Sequence, residues 1–200
     1  MLSKNPESYL IDTEHAVRHI FTGIDYYEKL LAGVTPPSQA KSINEVKCYM
    51  ELSKSYFGYS MSEATLCGAV LQIAFMGVFL FSNNKVIPAN FSGLIKPENK
   101  KAISFCNGRL VHNIPIGLVI YAGRNQFNHW DDESFDYPTT KVFEALLLAH
   151  YDNPLFDLAY ELGFPARTIK ANHLVLNELK WRNYEQYNMD MKSLICTEHR

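Results

Sequence analysis

The chain has 200 residues, 47% of them apolar and 13% aromatic, with a formal net charge of −2. That composition buries one sizeable core, and its charge excludes a uniformly basic coat for nucleic acid, so any such contact has to be local. Cys48, Cys67, Cys106 and Cys196 lack CxxC spacing, which argues against a zinc site and predicts reduced thiols in a cytoplasmic protein. The polar opening MLSKNPESY does not read as a signal peptide.

Residues 7–32 read as a first long helix with Leu10, Val17, Ile20, Ile24, Tyr27 and Leu31 on its apolar face and Glu14–Arg18 as an i,i+4 pair. His15 and His19 share a face and make half of a metal site, with no third ligand to nominate; a solvated or capping role is the plainer reading. A second amphipathic helix is predicted from Gln39 to Phe57, with Ile43, Val46, Met50 and Tyr56 inward, ended by Gly58. Ser60-Met61-Ser62-Glu63 then reads as a capping box. It opens an uncharged helix, Ala64 to Phe81, near the lower length limit for a membrane span. Gln72, Gly68, Gly77 and flanks without basic clusters favour a buried central helix and no membrane contact. A further helix is predicted from Pro97 to about Leu110, within a basic stretch carrying Lys96, Lys100, Lys101, Arg109 and Arg124 against the single acid Glu98.

Asn113 to Glu133 carries the chemistry. Asn113 is a candidate N-cap and Pro115 suits a first helical turn. At about 100° per residue, Ile116, Val119, Ile120, Gly123, Phe127 and Trp130 form the buried stripe. Leu118 and Tyr121, then Arg124, Asn125, Asn128 and His129, occupy the other side, which begins apolar and ends polar. Large apolar groups facing away from the core predict a homodimer with that side in the interface. The acids that follow, Asp131, Asp132, Glu133 and Asp136, read as a solvated helix exit rather than a metal cluster. Thr139 or Thr140 is predicted to cap a helix from Lys141 to His150. Pro154–Gly163 forms the next, and Pro165 restarts a kinked helix to Leu194.

The segment Arg124-Asn125-Gln126-Phe127-Asn128-His129 resembles the RNxxxH signature of the HEPN superfamily, helical-bundle proteins that are often metal-independent ribonucleases. The resemblance covers about twenty residues. It implies an all-α bundle of four or five core helices over 1–137, with a helical C-terminal extension over 138–200 or within the same domain. It also implies a dimer in which two copies of Arg124, Asn125 and His129 meet across the two-fold axis. One departure is Asp131, where relatives paired with a nucleotidyltransferase antitoxin often carry a Tyr.

The chemistry suits such a site. RNA brings its own nucleophile, the 2′-OH, so cleavage needs a proton shuttle, for which histidine fits, and positive charge on the phosphate, for which arginine's fork fits. No metal or other cofactor is called for. Arg124 and His129 are about 140° apart on an ideal helix, awkward within one copy and natural between two. Asn125 would orient His129 or contact the ribose, and Lys100, Lys101, Arg109 and Asn128 are candidate RNA contacts. The expected function is an endoribonuclease of toxin or phage-defence type, with RNA, a second copy and a cognate antitoxin or regulator as partners.

Three alternatives stand beside it. Arg124 pairs with Asp131 or Glu133 in a purely structural role; the fold is a non-catalytic interaction or nucleotide-binding module; or residues 155–176 form a DNA-reading helix-turn-helix. In the last, Ala159, Gly163 and Ile169 are at the motif spacing and Arg167, Lys170 and Asn172 face DNA.

Overall fold

The computed structural model describes residues 4–33, 43–129, 136–149 and 170–196. The fold is all-α: α1 (Pro6–Gly33), α2 (Ile43–Phe81), the short α3 (Lys100–Ile103), α4 (Ile116–Asn128), α5 (Tyr137–Leu148), the single turn α6 (Ala171–His173) and α7 (Tyr184–Ile195). A two-residue hairpin of β1 (Leu110–Val111) and β2 (Ile114–Pro115) leads into α4.

α1 forms where its apolar period predicts, with Tyr9, Leu10, Val17, Phe21 and Ile24 buried and Arg18 Nε 2.8 Å from Glu14 Oε1. The two helices expected over 39–57 and 64–81 are one continuous helix, α2. Gly58 does not stop it and Ser60–Glu63 is no capping box. Glu63 is 4% exposed and accepts from the Asn172 amide at 2.6 Å. Glycine costs a helix interior only about 1 kcal/mol, which packing of the following turns outweighs. Ile43, Val46, Met50 and Tyr56, expected inward, are exposed, because this half of α2 runs past the core. Its other half is the central helix, with Cys67, Val70, Leu71, Ala74, Phe75 and Val78 buried. α2 is also the one helix among the described residues long and apolar enough to cross a membrane.

α4 packs on that half of α2. A Cβ at Gly68 would lie 2.3 Å from the Phe127 ring, and Phe75 meets Tyr121 with ring centroids 6.0 Å apart. Of the expected apolar stripe, Ile116, Val119, Ile120 and Gly123 are buried, Phe127 is partly buried against the core and Trp130 lies outside the described residues; but every residue from Ile116 to Gly123 is buried as well. Leu118 is 0% and Tyr121 4% exposed, so neither is offered to a second copy. Phe105, in the turn after α3, covers Tyr121 with centroids 5.3 Å apart. The expected helix to Leu110 stops at Ile103, and the chain turns through the hairpin instead.

The hairpin corrects the expected cap. His112 (φ 47°) and Asn113 (φ 64°) form a two-residue turn of mirror-image type, and Pro115 is the N-cap of α4. His112 is held there by Glu178, whose carboxylate lies 2.9 Å from His112 Nε2 and 3.0 Å from His173 Nε2. Gly117, at the start of α4, has its N–H bonded to Asn107 O, and a Cβ there would sit 2.1 Å from Phe105 O. Backbone cannot yield as a side chain tip can. Gly117→Ala is expected to destabilise by at least about 1–3 kcal/mol, and denaturant titration with an unchanged midpoint would refute this.

α5 is capped by Asp136, whose side chain accepts from Thr139 N, one turn earlier than the predicted Thr139 or Thr140. The predicted helix Pro154–Gly163 and most of the helix-turn-helix pattern, including Ala159, Gly163, Arg167 and Ile169, lie outside the described residues. The predicted kinked helix to Leu194 is interrupted. α6 widens into a π turn at Leu174–Glu178, Lys180 takes φ 57°, and Asn183 caps α7 by accepting from Gln186 N. Val142, Phe143, Trp181, Tyr187 and Leu194 join the same core as Val17 and Phe75. The four cysteines carry free thiols, Cys67 and Cys106 buried and Cys48 exposed. Burial pushes the Cys106 thiol up to about 11.

Candidate functional site

The sequence turns polar where α4 leaves the core, and the structure sorts those polar groups. Arg124 is half-buried. Its Nε donates to Gln72 Oε1 on α2 at 2.9 Å and Nη1 to Asn125 Oδ1 at 3.3 Å. Its guanidinium carbon lies 4.7 Å from the centroid of the Phe75 ring. Asn128 lies 3.1 Å from the same Gln72 oxygen. With its amide oxygen turned to the guanidinium, it accepts from Nε at 2.9 Å and Nη2 at 3.1 Å. A guanidinium so held is pre-set in orientation and keeps its charge, which suits an oxyanion better than a flexible lysine would.

Asn125 is tied to α5. Its Nδ2 donates to Thr139 Oγ1 on α5 at 3.2 Å. His129 is exposed and ends α4 as its C-cap, its backbone N–H bonded to Asn125 O. Arg124 and His129 thus leave the same helix end in different settings, one gripped by α2, the other facing outward.

Tyr121, one turn earlier, joins the polar end to its neighbours. Its hydroxyl donates to Asp136 Oδ2 at 2.8 Å. Burial first, then the Asp136 carboxylate, raises its phenol above the ordinary range, against smaller opposing contacts from Asn125 and Asn99. Asn99 is the N-cap of α3, accepting from Ala102 N. That places the base of the Lys100–Lys101 turn beside the Arg124–Asn125 end of α4. Lys101 Nζ sits 5.3 Å over the Phe79 ring, and Phe79 stacks with Phe75 at 6.2 Å and 11°. Arg124, Phe75, Phe79 and Lys101 therefore form a row of two stacked rings with a cation at each end, and Phe79 is 45% exposed.

The other expected contacts fall elsewhere. Lys100 is exposed. Arg109 is committed to structure, with Nε and Nη2 each 2.9 Å from the two Asp190 oxygens and Nη2 also donating to Leu179 O at 2.6 Å. Asn172, expected to face DNA, is turned to Glu63. Gln72, Phe75, Phe79 and Thr139 were not among the expected site residues. Gln72 had a signal, as the lone amide in an uncharged helix, which marks a polar group with a buried partner to serve.

No family model, curated protein or solved structure matches this chain. The class that the fold and site define is an all-α bundle presenting an anchored arginine and an exposed histidine at one helix end.

Proposed function

We propose that the chain is a metal-independent endoribonuclease of HEPN type, acting as a homodimer. The observation that carries the reading is the fixing of Arg124 by Gln72, Asn128 and Phe75 beside an exposed His129 on the same helix end. In the reaction the 2′-oxygen attacks the adjacent phosphorus while an imidazole takes its proton, and the 5′-oxygen leaves with a proton from an acid. The products are a 2′,3′-cyclic phosphate and a 5′-OH end. Arg124 steadies the charge that grows on the non-bridging oxygens, as a preorganised donor does. His129 supplies the shuttle, and across a two-fold axis one copy's His129 serves the other's Arg124.

One feature supports RNA as substrate. The row from Arg124 to Lys101 puts a charge for phosphate at each end and the exposed Phe79 ring, for a base, within it. With Leu118 and Tyr121 internal, the interface is drawn to the exposed groups around Asn128 and His129.

The test is incubation of the protein with single-stranded and structured RNA in excess EDTA, with product ends identified by mass. Cyclic phosphate ends formed in EDTA are expected. Cleavage abolished by EDTA, 3′-OH ends, or a monomer by light scattering at micromolar concentration would overturn the composite metal-free site.

A further inference from the structure

We propose that His15 and His19 on α1 form an open chelating site for a borderline divalent transition ion such as Ni2+, Cu2+ or Zn2+. The two residues are one turn apart, both are exposed, and their Nε2 atoms converge to 3.2 Å. The ring centroids are 4.4 Å apart at 72°. Two neutral imidazoles share such a contact only when one nitrogen carries a proton and the other does not. A metal ion satisfies both lone pairs at once. At metal–nitrogen distances of about 2.0–2.1 Å, two donors of one coordination sphere stand roughly 2.9–3.4 Å apart, which brackets the observed separation.

The local charge favours a cation. Arg18, the basic residue between the two histidines, is drawn off by Glu14 at 2.8 Å and by Glu185 of α7 at 2.7 Å, with its guanidinium 4.1 Å over Tyr184. Asp12, one turn before His15, is exposed. The one guanidinium between the imidazoles is thus paired with two carboxylates. Among the described residues no set of three His, Cys, Asp or Glu is placed to hold a metal, so water completes the sphere. Imidazole pairs select late first-row ions over Mg2+ and Ca2+, which demand oxygen donors.

The site is independent of the RNA reading, and its test uses no RNA. Tag-free full-length protein is titrated with NiCl2, and separately with MgCl2, by calorimetry at pH 7.5. One equivalent of Ni2+ is expected for wild type and none of Mg2+. That equivalent is expected to be lost in His15→Ala and in His19→Ala alike, with helical circular dichroism retained since both positions are exposed. Ni2+ binding unchanged in the double variant, or no Ni2+ binding by wild type, would overturn the proposal.

Discussion

His129→Ala is expected to lower RNA cleavage on the order of 10²–10⁴-fold while leaving the melting temperature almost unchanged. The residue is exposed and ends α4 through its backbone, which alanine retains. Arg124→Ala is expected to lose activity to a similar extent and to cost modest stability, because Gln72 and Asn128 lose their shared partner. Arg124→Lys keeps the charge but not the fork, and should stay impaired. Mixing the two inactive variants gives the sharpest readout. A heterodimer holds one site with both Arg124 and His129 intact, so a composite site predicts partial recovery of activity on mixing. Single-turnover rates beside circular dichroism measure all four. Folded variants that cleave at the wild-type rate would remove the two residues from the mechanism.

Trp181→Ala is expected to cost about 3–5 kcal/mol, which for a chain of this size lowers the melting temperature by roughly 6–20 °C. Trp181 is 0% exposed, its ring meets Tyr187 edge-on at 5.1 Å, and Nε1 donates to Asp190 Oδ2 at 2.7 Å. Asp190 is also the carboxylate that takes Arg109 from before the hairpin and, through it, the Leu179 carbonyl. Removing the indole opens a cavity and takes one of three donors from a buried acid. Met189→Ala, on the exposed face of α7, serves as the control at within about 0.5 kcal/mol. Equal melting temperatures for the two variants would refute this account.

Periodicity carried the sequence reading where one face met one core. α1 and the buried positions Ile116, Val119, Ile120 and Gly123 of α4 follow from it directly. It failed where a local signal competed with tertiary packing. Gly58 and the Ser60–Glu63 pattern look like a stop and a start, yet Glu63 is spent on Asn172 and the helix runs through. Leu118 and Tyr121 read as a second, outward face, because one sequence does not announce that Phe105 and α5 close over it. The basic stretch read as a set of candidate RNA contacts, whereas a hairpin sends Arg109 to Asp190 and leaves Lys101 beside Phe79. Within the site, Arg124, Asn125 and His129 stood out by residue type. Gln72 and Thr139, their partners from distant parts of the chain, carried no spacing that ties them to α4.

α2 is about 58 Å long at 1.5 Å per residue over its 39 residues, and its two halves live in different environments. Amides near Ile43–Phe57 are held by little beyond the helix itself, so they exchange with solvent through fraying of a few turns. Those around Val70–Val78 sit against the core and exchange only when the whole domain opens. One unbroken helix thus reports two equilibria, local at one end and global at the other. Gln72, the residue that grips Arg124, lies in the slow half, so the guanidinium is anchored to a part of the molecule that does not yield short of unfolding.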